Sequence, residues 1–230
     1  WDEEFGGFYQ YIALKDHSVK DKFKTAYGNA FAIYALSAYY DLTGNNEALA
    51  LAKRTFYCLE EHCYDSTFGG YFNYTTREGY SYNDTVKFNN TKHNPNNWLY
   101  ISAQYKDYNT SIHIMEAFSA LYKYWTNPLL KERLSAMFLI IRDKMVTREG
   151  YLNMFFKDNW NHFSNQDSSR DYIKANSLLD HVSFGHDVET AYLLLETEKT
   201  LQTKISSRTR KITQKMIDHA LSKGFDENYS

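Results

Sequence analysis

His181-Val-Ser-Phe-Gly-His-Asp-Val-Glu-Thr-Ala-Tyr-Leu-Leu-Leu-Glu-Thr-Glu198 is the stretch on which the fold turns. A polar head, Gly185 to Glu189, runs straight into an apolar body, Ala191-Tyr-Leu-Leu-Leu195. That is the pattern of a helix whose first turn carries chemistry and whose body carries packing. His186 and Glu189 stand three residues apart and so share a helical face. An imidazole beside a carboxylate suits proton transfer near neutral pH, because the carboxylate orients the ring and tunes its pKa. The plainer reading is a helix start with Ser183 or Asp187 near the cap and a buried, satisfied histidine.

Outward from that stretch, the chain repeats itself. Asp2-Glu-Glu-Phe-Gly-Gly-Phe-Tyr-Gln-Tyr11, Asp65-Ser-Thr-Phe-Gly-Gly-Tyr-Phe-Asn-Tyr74 and Thr147-Arg-Glu-Gly-Tyr-Leu-Asn-Met-Phe-Phe156 are each a turn ending in glycine, then aromatics in strand-like alternation. Lys223-Gly-Phe-Asp226 is a fainter copy. Between the turns the apolar spacing predicts paired helices over Phe23–Leu42 and Asn46–His62, Tyr108–Trp125 and Leu129–Met145, and Gly185–Lys199 and Ile205–Lys223. Residues 76–106 and 157–180 read as long polar loops, the second holding Trp160, His162 and Phe163; loops of that length commonly serve a site. A repeat of this size makes each unit one supersecondary element that buries a face on its neighbours. If the hairpins follow one up-and-down path, the first helices run parallel. Tyr27, Asn109, His113, His186 and Glu189 then gather on one rim.

Composition narrows the function. The chain has 230 residues, is 43% hydrophobic and 23% charged, and so can bury a core. A formal net charge of −2 with no basic run argues against nucleic acid or an anionic membrane as the main partner. No apolar run approaches the ~20 residues of a membrane span. Nothing at the start resembles a signal peptide. Cys58 and Cys63, five apart at the end of a predicted helix, read as free thiols in a reducing compartment rather than a disulfide or metal framework.

Asn109, His113 and Glu116 occupy one helical stripe, although Asn109 could equally be an N-cap and His113 a core residue. The spacing of the histidines and carboxylates does not suggest a metal site, and no phosphate loop or nucleophile elbow is present.

These residues carry a family resemblance. Gly185-His-Asp-Val-Glu189, preceded by Val-Ser-Phe, is similar to the hallmark of cellobiose 2-epimerases in the N-acylglucosamine 2-epimerase superfamily. Asn109-Thr110 with His113, Glu116, Ala117 and Phe118 resembles a second inner-helix motif, and Tyr27 to Tyr40 the helix before it. Phe184 and Asp187 favour the cellobiose branch. The resemblance implies an all-α fold, an (α/α)6 barrel, of which residues 1–230 form roughly the middle half of a single catalytic domain without its N- and C-terminal helices. It implies a soluble bacterial, cytoplasmic isomerase, monomer or weak dimer, that epimerises C2 of the reducing-end glucose of cellobiose or lactose without metal or cofactor. His186 would be one acid/base histidine and Glu189 its orienting carboxylate. His113 and Asn109 would hold the sugar and assist ring opening, with Tyr27, Phe31, Glu116 and Asp187 contacting substrate. No other histidine here matches the family's second acid/base residue, which implies that this span alone is inactive. The alternatives are an aldose–ketose isomerase, an N-acylglucosamine 2-epimerase, an (α/α)-barrel glycoside hydrolase or lyase, and a non-catalytic carbohydrate-binding barrel.

Overall fold

Thr25, Asp107 and Ser183 each stand in extended backbone immediately before a helix. In the computed structural model, which describes residues 1–19, 23–80, 105–202 and 204–226, these starts organise three hairpins. The elements are β1 (Phe23–Thr25), α1 (Ala26–Thr43), α2 (Asn46–His62), β2 (Tyr74–Thr76), β3 (Lys106–Asp107), α3 (Tyr108–Tyr122), α4 (Pro128–Ile140), β4 (Phe155–Phe156), α5 (Arg170–Ala175), α6 (Phe184–Leu201) and α7 (Ser207–Gly224). α1 packs on α3 and α3 on α6, forming an inner row; α2, α4 and α7 each fold back on the helix before them. α3 lies at the centre, with Ile112, Ile114, Met115, Phe118 and Leu121 fully buried. A helix apolar on all sides is one enclosed on all sides. Phe118 meets Phe56 edge-on at 5.1 Å and Tyr71 at 5.6 Å, joining α3 to the first hairpin. No helix of the described residues is long and apolar enough to cross a membrane.

The helix pairs fall where the apolar periodicity predicts them, with differences at the ends. The first helix begins at Ala26 rather than Phe23, because Phe23–Thr25 pairs antiparallel with Tyr74–Thr76 and the Thr25 side chain caps the Gly28 N–H. α4 passes at Ile141 into a π-helical turn that ends at Met145. The predicted 157–180 loop contains the short α5, capped by Ser169, and a 3-10 turn at Ser177–Leu179. Most of the other predicted loop, 81–104, lies outside the described residues.

The repeated turns are alike at atomic level. Asp2 Oδ1 accepts the N–H groups of Glu4 (3.1 Å) and Phe5 (3.3 Å), and Asp65 Oδ1 those of Thr67 (2.8 Å) and Phe68 (3.2 Å). Each turn is then clamped by a buried lysine placed just before an inner helix. Lys24 Nζ sits 3.0 Å from Asp2 Oδ2 and donates to the carbonyls of Gly6 and Arg77. Lys106 Nζ donates to Asp65 Oδ2 (2.6 Å) and to the carbonyls of Gly69 (2.7 Å) and Asp158 (2.8 Å). All three ammonium hydrogens are thus taken up, the condition under which a lysine can be buried. In the third unit Thr147 replaces the aspartate, accepting from Gly150 and Tyr151, and Val182 stands at the lysine position. Trp160 is buried: its Nε1–H donates to the carbonyls of Phe68 and Gly69, and its ring lies against Gly70, where a Cβ would come within 2.3 Å.

Burial pushes the Asp65 carboxyl up, but Lys106 and the Thr67 and Phe68 N–H groups outweigh it and hold the acid below its usual value of 3.8. A carboxylate with a depressed folded-state pKa adds stability above its unfolded value, and that stability is lost as pH falls through the folded one. Lys106→Met is expected to cost about 3 kcal/mol in denaturant unfolding at pH 7, because it leaves a buried carboxylate unpaired. It should also weaken the loss of stability on acidification below pH 4; an unchanged midpoint would show that the clamp is dispensable.

Candidate active site

The three inner helices place equivalent positions side by side. Phe31, His113 and Glu189 each lie six residues after the cap residue of their helix, Thr25, Asp107 and Ser183. Six residues are less than two turns, so all three stand near the rim at which the helices begin. Their contacts follow. The Phe31 ring lies 4.7 Å from the His113 ring, Tyr27 meets His113 edge-on at 5.4 Å, and Tyr27 meets Phe31 at 4.9 Å. His113 Nδ1 is 2.9 Å from Glu116 Oε2 and its Nε2 is 4.0 Å from Glu189 Oε1. A carboxylate only accepts, so Nδ1 carries the proton shared with Glu116. His113 is buried and bracketed by two carboxylates from different helices.

His186 stands on the same rim in a different setting. Its Nδ1 lies 2.6 Å from Ser183 Oγ and 3.3 Å from the Tyr108 hydroxyl, and the Tyr108 ring meets it edge-on at 4.8 Å. Burial pushes the ring's pKa below its usual 6.5, Glu189 opposes that shift, and His113 and His181 add to it. The ring is therefore neutral at pH 7. Burial, then Asp107, Glu189, Asp187 and Tyr27, push the Tyr108 phenol up to about 12, so it keeps its proton.

Tyr27, Phe31, His113, Glu116, His186 and Glu189 are thus drawn together as the sequence predicts. Glu189, however, is nearest to His113; among the described residues the hydrogen-bonding groups on His186 are Ser183 and Tyr108. Asn109 is not the cap of α3, a role taken by Asp107, whose Oδ1 accepts the Thr110 N–H at 2.7 Å. Asn109 is half-buried, and its side-chain amide makes no hydrogen bond to the described residues. Asp187 departs from its expected place among the substrate contacts. It is fully buried, and Oδ1 accepts the Leu152 N–H at 2.8 Å. Asn29 holds the equivalent place in α1 and accepts the Phe8 N–H, also at 2.8 Å. Asp187 is therefore a strap between a helix and its turn. Tyr108 and Ser183 are the site residues that sequence reasoning missed. The Tyr108–His186 contact crosses between helices and leaves no spacing to read, whereas Ser183 was visible only as a cap. Below the rim, Tyr34 and Tyr192 line a cavity of about 80 Å³ with Glu116, Lys123 and Glu196. Among the described residues no three His, Cys, Asp or Glu side chains are grouped to hold a metal.

A row of helical hairpins whose inner helices carry histidines and carboxylates on one rim is the architecture of an α/α toroid. The chain belongs to the N-acylglucosamine 2-epimerase (GlcNAc 2-epimerase) family, whose pattern matches residues 1–230. It is 30% identical over 202 residues to the cellobiose 2-epimerase of Bacteroides fragilis, covering 87% of this chain and 45% of that protein. It superposes on the cellobiose 2-epimerase of Spirochaeta thermophila with a TM-score of 0.76 at 26% identity, covering 96% of this chain and 49% of the other. A sugar epimerase from a ruminal bacterium gives 0.75 at 27% identity, covering 96% and 50%. The fold is that of an (α/α)6 barrel, and the chain spans about half the length of the relatives it matches.

Burial raises the Asp187 carboxyl to about 6, against smaller lowering by the Leu152 N–H and by His219. A raised folded-state pKa favours the fold at low pH, and that contribution is lost as pH rises from the unfolded value through about 6. Asp187→Asn, which copies Asn29, is expected to be more stable than the parent at pH 8 by roughly 2 kcal/mol. Thermal melts from pH 4 to 8 should be flatter than the parent's; an equal or steeper decline would refute the strap.

Proposed function

We propose that the protein carrying this chain is a sugar 2-epimerase that interconverts glucose and mannose at the reducing end of β-1,4-linked disaccharides such as cellobiose and lactose. The observation that carries the reading is the paired setting of His186 and His113 on one rim. The first is a half-buried, neutral imidazole; the second is an imidazole between the carboxylates of Glu116 and Glu189. The similarity to proteins named cellobiose 2-epimerase supports the substrate class.

His113 and Asn109 hold the reducing sugar as its ring opens to the aldehyde. His186 Nε2 takes the C2 proton, and the C–H electrons move into the C1–C2 bond as the carbonyl oxygen becomes an enediolate oxygen. A proton returned to the other face of C2 gives the epimer, with no net oxidation. The opposite-face donor comes from the other half of the barrel. Proton transfer by groups with pKa values near the working pH is sufficient chemistry for this step. Tyr27 and Phe31 supply an apolar wall for the sugar. Tyr34, Tyr39 and Leu42 of α1 and Val188 and Tyr192 of α6 are exposed here, which supports a larger barrel around residues 1–230.

Proton NMR of cellobiose in D2O with the full-length protein should show deuterium entering at C2 and a mannose-type signal appearing. His186→Asn should lower that rate by at least about 100-fold. Sugar that binds without C2 exchange would overturn the epimerase reading. Because the His186 pKa is lowered, kcat/KM should hold down to pH 6.5 and fall only below it; a limb above pH 7 would remove His186 as the free base. Residues 1–230 alone should be inactive, and a soluble, active monomer of that span would overturn the half-barrel reading.

A further inference from the structure

Ser183 holds the cap position of α6, but its side chain makes no capping bond. Every other described α-helix has one, from Thr25, Asn45, Asp107, Asn127, Ser169 or Ser206. Ser206 shows what a serine does in that place: its Oγ accepts the N–H of the residue three further on, Thr209, at 3.2 Å. The matching N–H beyond Ser183 belongs to His186, and the hydroxyl turns instead to that residue's ring, 2.6 Å from Nδ1. Tyr108, reaching across from α3, brings a second hydroxyl to the same nitrogen and sets its ring edge-on against the imidazole. Nε2 makes no hydrogen bond to the described residues.

We propose that Ser183 is a positioning residue for His186: its oxygen accepts the Nδ1 proton, with Tyr108 bracing the ring, so that Nε2 is the bare nitrogen turned to the substrate. The partner of one imidazole nitrogen decides which nitrogen carries the proton. A neutral histidine acts as a base at Nε2 only in the Nδ1–H form, so the serine that leaves the helix uncapped sets the direction of proton flow. This rests on the reading of His186 as the base that takes the C2 proton. The titratable groups facing the ring are Glu189 on its own helix, His181 just before it, and His113 and Tyr108 on α3. None of them is hydrogen-bonded to Nδ1 except Tyr108.

The test is the ring tautomer, read by long-range proton–nitrogen NMR of the 15N-labelled full-length protein at pH 7.5, beside the kinetics of variants. The parent should show Nδ1–H. Ser183→Ala should show mixed tautomers, with kcat roughly tenfold lower and KM within about twofold. Its melting temperature should drop less than that of Ser206→Ala, which does lose a cap. Ser183→Asp should move the acidic limb of kcat/KM up by roughly one pH unit, since a carboxylate beside Nδ1 favours the imidazolium. Ser183→Thr, which keeps the hydroxyl, should restore the parent tautomer even if the alanine variant fails to fold. An Nε2–H ring in the parent, or an alanine variant with unchanged kcat and pH profile, would overturn the proposal. Absence of C2 exchange with every sugar would sink the epimerase reading while leaving the tautomer result to decide this one.

Discussion

A buried ammonium group must give all its hydrogens to acceptors, and two lysines here meet that demand in the same way. Lys24 and Lys106 each reach from the strand before an inner helix into the preceding glycine turn, where a carboxylate and carbonyls surround Nζ. The clamp ties three things that sequence separates: the turn, the strand and the start of the helix. Once the start is fixed, so is the height at which the first-turn side chains emerge. In the first two units the anchors are alike. The third unit keeps the geometry by other means, with Thr147 closing the turn and Asp187 strapping it to α6.

On that rim, identical positions have received unlike chemistry. The sixth residue after each cap is Phe in α1, His in α3 and Glu in α6. The aromatic makes one wall and leaves the imidazole and the carboxylate as the polar pair. His113 keeps anionic company, whereas Nδ1 of His186 meets the hydroxyls of Ser183 and Tyr108. Burial lowers the pKa of the His186 ring, so its surroundings alone bias it toward the neutral form.

Much of this was legible in the sequence because it depends on period. Apolar spacing located the long helices, and the glycine turns, unremarkable singly, located the hairpins by recurring. The recurrence then brought Tyr27, His113, His186 and Glu189 to one end. What could not be read depends on side-chain direction. Asp187 adjoins His186 in sequence but points the other way round the helix, a turn of about 100°, and goes to Leu152. Tyr108 reads as the first residue of a helix, and nothing local says that its hydroxyl meets a ring from another hairpin. The β1–β2 pairing was hidden because three residues are too few to carry an alternating pattern. The clamps were hidden because Lys24 and Lys106 sit in polar surroundings typical of exposed lysines.

The constant interval between cap and site residue makes each inner helix a ruler. Its zero mark is the residue at which extended backbone becomes helix, and its scale is the rise and rotation of the helix itself. Loops elsewhere can lengthen or shorten freely, since they only join one ruler to the next. Inside the first two turns there is no such tolerance: a single inserted or deleted residue would swing His113 or Glu189 by about 100° and shift it by about 1.5 Å along the axis. Change at this rim is therefore to be sought in exchanged side chains at fixed marks and in the connecting segments, and not in the lengths of the inner helices' first turns.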